Sequence, residues 1–419
     1  MKLKPILIFL YITQLSVAQN SFNQLQKLFV KEYTALEIPN LQINYVQNLN
    51  SIKNKMDIEK QEKFFLKIKK NLKQVPFQNL TEYEKLDYQI MKYETVLNLE
   101  RIALEKQWDT SIKLDDNKSI YTIKNGKKWY AYLLKRWVNA NVNPDDIFQF
   151  GLREIEFVKT QMTQLQKKSG HHKINFDKFL KDSSFFYFKV SDIQKAFEKT
   201  KLLVNKKADT LFPYINKVQD VKIKKGNNPS LAQVPAYYNN GTFFYNYFDK
   251  PFNKRQIDWI YIHEAIPGHH YQFMINNLIH RTEIQALFWY PGFAEGWGAY
   301  VEFLGKELGA YKTIYDEYGK WEWDLIRSVR VALDVGINYY GWSDIKAQNF
   351  WKKYIINKDD IGLREIERMK RWPAQVVTYK YGANIFLNKL DKAKKENEFS
   401  YKSFHKHLLK YGDIPLELL

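Results

Sequence analysis

The sequence predicts a mainly α protein, a large helical fold with one small antiparallel β-sheet near a candidate active site. Three observations carry that prediction. Apolar residues recur at three- and four-residue intervals through most of the 419 residues. A single aromatic-rich stretch is split by an Asn-Asn-Gly turn, which reads as a hairpin. Three of the eight histidines lie within HEAIPGHHYQF, residues 263–273. The length admits one large domain or two coupled ones.

The first residues, MKLKPILIFLYITQLSVAQN, place Lys2 and Lys4 before an apolar run that starts at Ile6. Ser16 and Ala18 stand three and one positions before an expected cleavage after Ala18. This is the layout of a secretory signal peptide, residues 1–18, with an apolar run too short for a transmembrane helix. It predicts an exported protein, periplasmic or extracellular, with no membrane span after cleavage. Cysteine is absent. Disulfides, a thiol nucleophile, a lipid anchor at the cleavage point and Cys-ligated zinc are thereby excluded, so a metal must rest on His, Glu and Asp.

Residues 19–225 read as an N-terminal helical region. LQKLFVKEYTAL and YEKLDYQIMKYETVLNLERIALEK carry the helical period, and KVSDIQKAFEKTKLLVNK is amphipathic from Asp192 with Ser191 as a candidate N-cap. KIKKGNNPS (222–230) has the composition of a linker. The following AQVPAYYNNGTFFYNYF predicts two short strands around Asn239-Asn240-Gly241. An edge strand there would suit pairing with an extended peptide backbone. Residues 226–419 are the expected catalytic metal-binding region, packed with the N-terminal helices around one cleft. Its helices carry RQIDWIYIHEAI, FAEGWGAYVEFLGKEL, WDLIRSVRVALDVGINYYGW and PAQVVTYKYGANIFLNKLDKAKKE.

The formal charge of +19 raises nucleic acid as a partner. The lysines, however, are spread along the chain and interleaved with Glu and Asp, as on solvated helix faces, and no nucleic-acid motif accompanies them. The expected partner is a peptide, with no nucleic acid; oligomeric state is not encoded in any pattern.

His263 and Glu264 suggest zinc hydrolase chemistry, yet Pro267 stands where a helical motif would place its second histidine. His269 and His270 follow six and seven positions after His263. Seven residues of unbroken helix rise about 10.5 Å, too far for two imidazoles to share one ion. Pro267 cannot donate to the His263 carbonyl, and Gly268 lets the chain bulge and restart. Two looped-out residues would bring His269 into position. Glu295 in FAEGWGAY, flanked by Ala294, Gly296 and Gly298, supplies a third ligand. Glu264 would then serve as general base toward a metal-activated water.

HEAIPGHHYQ, FAEGWGAYVE, RVALDVGINYYGW and PAQVVTYKYG occur in this order over residues 263–382. In that order they resemble the signatures of domain-of-unknown-function family 885, exported bacterial proteins similar to divergent gluzincin zinc metallopeptidases. The resemblance implies a helical metallopeptidase-like fold, with Zn2+ held by His263, His269 and Glu295 and with Glu264 as base. More distantly, the pattern is similar to the peptidases around angiotensin-converting enzyme and the bacterial zinc carboxypeptidases. Their motif has one residue between the Glu and the Gly-His step, where this chain has Ala265 to Pro267. Aligning that step puts His269 on the metal and His270 beside the site, while a register with His270 as the ligand stays open. By the same analogy Tyr379 donates its hydroxyl to a tetrahedral intermediate, and Arg330 binds a substrate carboxylate. Many relatives carry His at the position of Asn338, a substrate-side donor in this reading. The expected function is an exported zinc metallopeptidase hydrolysing short peptides. The alternative is a non-catalytic secreted zinc- or peptide-binding protein on the same scaffold.

Overall fold

The structure, a computed structural model, describes residues 22–39, 44–231, 234–247 and 251–419. The expected signal peptide lies outside the described residues. Helices dominate. Their starts follow capping chemistry. Thr81 accepts from the Glu84 amide while Glu84 accepts from the Thr81 amide, opening the helix Glu82–Glu105. Thr313 and Asp316 repeat the device at the head of the long central helix Ile314–Asn338. The amphipathic stretch near Ser191 differs from expectation. That helix runs Val190–Leu211, with Lys189 at the cap position, so Ser191 lies inside the first turn and caps nothing.

From Tyr318 to Asn338 nearly every residue of the central helix is buried. It lies along the helix Pro144–Lys168 and packs against the helices Ile257–Glu264, Asp359–Arg371 and Val377–Ala393. The larger of two apolar cores among the described residues runs from Phe22 through Trp137 and Phe197 to Trp297 and Leu416, so residues 22–225 and 226–419 share it. No helix among the described residues is long and apolar enough to cross a membrane.

Among the described residues five short strands form two sheets. β1 (Phe186–Tyr187) pairs antiparallel with β5 (Phe252–Asn253). β2 (Lys222–Lys225), β3 (Ala236–Asn239) and β4 (Thr242–Tyr245) form a second sheet in the order β2-β4-β3. The expected hairpin is β3–β4, turning at Asn240 and Gly241 with φ of 42° and 75°. Two expectations change here. The sheet beside the site is mixed, because β2 joins β4 in parallel. And KIKK is a strand, not part of a linker: Ile223 is buried while Lys222 and Lys224 are exposed, the alternation of a half-covered strand.

Candidate metal centre

The helix Ile257–Glu264 delivers His263 and Glu264, and a new helix, His269–Leu278, begins with His269. The chain therefore does not loop two residues out of one kinked helix. It ends a helix, crosses Ala265–Gly268 and starts another. Ala265 leaves helical geometry at φ −105° and ψ −115°, and the Ile266–Pro267 peptide is cis. A Cβ on Gly268 would lie 1.8 Å from the His263 carbonyl oxygen, so only glycine fits that turn. The Trp297 indole donates to the Pro267 carbonyl at 2.8 Å and ties the turn to the third ligand's helix.

That helix, Pro291–Val301, opens on proline and carries Glu295. It approaches closely because its glycines face the site. A Cβ on Gly298 would stand 2.8 Å from the His263 ring, and one on Gly296 would stand 2.6 Å from Gly382 of the helix Val377–Ala393. The result brings the three expected ligands together. One donor atom each from His263, His269 and Glu295 lies within 4.8 Å of the others. Glu295 Oε2 is 3.9 Å from His263 Nε2 and 3.4 Å from His269 Nε2. The two imidazoles meet edge to face at 4.7 Å.

Behind His263 stands a group the sequence reading missed. His263 Nδ1 donates to Glu302 Oε1 at 2.7 Å, and Arg327 holds the other carboxylate oxygen at 2.7 Å. All three are buried. A carboxylate on Nδ1 fixes the tautomer and turns Nε2 toward Glu295, the usual support of a metal-ligating imidazole. Burial opposes ionisation of Glu302, but Arg327 and His263 outweigh it and hold its carboxyl below the usual range. A signal was present: Glu302 follows Glu295 by seven residues, two turns along the same helical line.

The electrostatics favour positive charge among the donors. Burial pushes Glu295 toward protonation, yet the His269 and His263 rings hold it below its ordinary value. Burial would lower His269, but its hydrogen bond and ion pair with Glu295 raise it. Glu264 lines the cleft beside them and is raised, by burial above all. Tyr379 lies nearly parallel to the His263 ring at 6.3 Å and accepts from Gln375 Nε2 at 3.3 Å. Burial, with the Glu295 charge, raises its hydroxyl, which stays protonated and able to donate.

These groups line a cleft of about 1090 Å³ that is walled on one side by residues of β3. Arg330 lines it too, but its guanidinium is hydrogen-bonded to Glu365 and lies over Trp323, so the carboxylate it meets is the protein's own. His270 and Asn338 are corrections, and neither lines the cleft. His270 sits a third of a turn from His269, with Nδ1 on the Tyr238 hydroxyl at 3.1 Å and Nε2 on the Gln219 carbonyl at 2.7 Å. Both nitrogens are committed, which closes the register with His270 as ligand. Asn338 lies eight residues, about 12 Å of helix, beyond Arg330. Its amide is buried and donates to Asp334 and to the Met369 carbonyl. Asparagine at this position therefore bears on packing, not on substrate.

Residues 102–419 match the model of a family described as bacterial protein of unknown function (DUF885). No curated protein matches the sequence. A crystal structure from Colwellia psychrerythraea, described as a "putative lipoprotein", aligns with TM-score 0.65 at 20% identity, covering 88% of this chain and 67% of its own. A Shewanella oneidensis structure with the same description, of unknown function, aligns with TM-score 0.58 at 18% identity, covering 86% and 72%. At these identities the likeness is one of fold.

Proposed function

Because the chain belongs to the DUF885 family of bacterial proteins of unknown function, its activity has to be read from its own cleft, and we propose that it is an exported zinc-dependent metallopeptidase acting on short peptides. The observation that carries the proposal is the convergence of donor atoms from His263, His269 and Glu295 within 4.8 Å at an open cleft. Two imidazoles and one carboxylate, with a further position open, are the donor set of catalytic zinc. The Glu302 bond to Nδ1 prepares His263 Nε2 as a donor, so the residues fit the ion. When bound, zinc supplies Lewis acidity, which acidifies water and polarises a carbonyl.

The remaining work belongs to the chain. Glu264, raised by burial, is suited to take a proton from the attacking water and return it to the leaving amine. Tyr379 offers its hydroxyl to the carbonyl oxygen as negative charge grows there. β3 is an edge strand of its sheet and borders the cleft, which supports alignment of the substrate main chain by strand addition. Export is supported by the layout of residues 1–18 and by the lipoprotein description of both structural relatives.

The test pairs metal analysis with hydrolysis of a mixed peptide library, with and without chelator. The purified protein should carry zinc and lose hydrolysis to the chelator. Glu264→Gln should keep the metal while turnover falls by about 10²-fold or more. Undiminished hydrolysis by Glu264→Gln, or by metal-free protein, would sink the proposal.

A further inference from the structure

The guanidiniums along the cleft are of two kinds. Arg327 and Arg330 are buried, and each is hydrogen-bonded to a carboxylate, Glu302 and Glu365 respectively. Arg364 and Arg368 are not so engaged. They sit one turn apart on the helix Asp359–Arg371, and both line the cleft. Their side chains are 44% and 24% exposed, and the closest ion-pair partners among the described residues are Asp360 at 3.9 Å and Glu365 at 3.8 Å. Those separations are beyond hydrogen-bond reach.

Arg368 is nonetheless fixed in place. Its Nη2 donates to Gln375 Oε1 at 2.6 Å, and Gln375 Nε2 donates to the Tyr379 hydroxyl at 3.3 Å. One amide thus joins the guanidinium to the tyrosine that lies over His263. Tyr379 lies 6.3 Å from the His263 ring, so this chain of hydrogen bonds ties Arg368 to the candidate metal centre. The Glu365 carboxylate between the arginines is taken up by Arg330. A positioned planar fork, partly desolvated and without a carboxylate in hydrogen-bond range, is the usual receptor for a carboxylate from outside.

We propose that Arg368, with Arg364 one turn before it, seats a carboxylate of the substrate, so that this cleft takes peptides by a free C-terminus. The proposal rests on the peptidase reading above and adds the end from which the substrate is recognised. It also moves the role expected for Arg330 to a neighbour whose guanidinium is available.

The experiment uses the zinc-loaded full chain and three probes. These are N-acetyl tetra-alanine as the free acid, its C-terminal amide, and an amidated analogue with glutamate at the third position. The free acid should show a KM lower than the amide by about 10- to 100-fold, the range of one charge-assisted pair. Arg368→Gln should bring the free acid to the amide's KM, and Arg368→Lys should restore part of the difference, with circular dichroism verifying the fold. Equal KM values for acid and amide, or a preference that survives Arg368→Gln, overturn the proposal. A glutamate amide as good as the free acid overturns the chain-end reading in favour of a side-chain carboxylate. Should no probe be hydrolysed, the peptidase reading fails by itself, and calorimetric binding to zinc-loaded Glu264→Gln decides the seat. Selective binding of the free acid that is lost on adding Arg368→Gln upholds it; equal binding of acid and amide overturns it.

Discussion

The two faces of the helix His269–Leu278 hold adjacent histidines in opposite circumstances. On one face, His269 leads a line continued by Gln272 and Asn276 into the cleft, with Nε2 toward Glu295. On the other, His270 is closed off, donating to the Gln219 carbonyl and accepting from Tyr238 of β3. Burial lowers its proton affinity and keeps it neutral. The difference teaches what makes a histidine a candidate ligand. It is not proximity in sequence, nor burial, but a nitrogen left unspent and aimed at other donors. His263 meets the same criterion by a different route, since Glu302 spends Nδ1 and leaves Nε2 for the cleft.

The sharpest way to break this contrast is to remove each histidine in turn. His269→Ala should abolish stoichiometric zinc and, with it, hydrolysis. His270→Ala should retain both and lose roughly 1–3 kcal/mol of stability in urea unfolding, because the Gln219 carbonyl loses its donor. Metal analysis of the pair reads the result directly, and zinc retained by His269→Ala would refute the assignment. Next in size is Glu302→Gln. Without a carboxylate on Nδ1, zinc affinity should fall about 10- to 100-fold in a competition titration. The same change leaves Arg327 buried without its anion, a destabilisation of about 3–5 kcal/mol. Gly298→Ala tests whether the ring is held by space as well as by hydrogen bonds. The added methyl meets His263 at 2.8 Å, and a strain of about 1–3 kcal/mol should appear as weaker zinc binding with Glu295 intact.

The smallest effect on hydrolysis is expected outside the cleft, at Asp334, the carboxylate that Asn338 contacts. Burial pushes its carboxyl from 3.8 to about 7, against hydrogen bonds from Tyr130 and the Ala374 amide. The folded chain then binds a proton that the unfolded chain has released. Its contribution to stability is complete at low pH and is lost as pH rises from about 4 through 7, at up to about 1.4 kcal/mol per pH unit. Asp334→Asn should flatten that dependence in urea unfolding at pH 5 and 7.5, with KM unchanged.

The ligand set was legible because it is local and chemically narrow: His263, His269 and Glu295 sit within 33 positions, in a chain with eight histidines. The helices were legible from their period, and the hairpin from Asn-Asn-Gly. Glu302, Arg327 and Arg368 were not, because acidic and basic residues are common; the meaning of the first two depends on His263, 39 and 64 positions away, and that of Arg368 on which face of its helix meets the cleft. Asn338 and His270 misled for a related reason. Motif membership says that a residue belongs near the site, but the helical angle decides whether it faces the cleft or the packing behind it. KIKK looked like a linker because lysine hides a period of two that Ile223 alone reports.

The central helix is gripped at several points of its length, among them Arg327, which reaches Glu302, and Asp334, seven residues on, which reaches Tyr130 and Ala374. Two grips about 10 Å apart along one axis forbid the helix to turn like a screw or slide like a piston. Arg330 lies between them, so its aim along the cleft is set by the bearings on either side of it. Motion that opens or narrows the cleft is therefore expected from the shorter elements around this shaft.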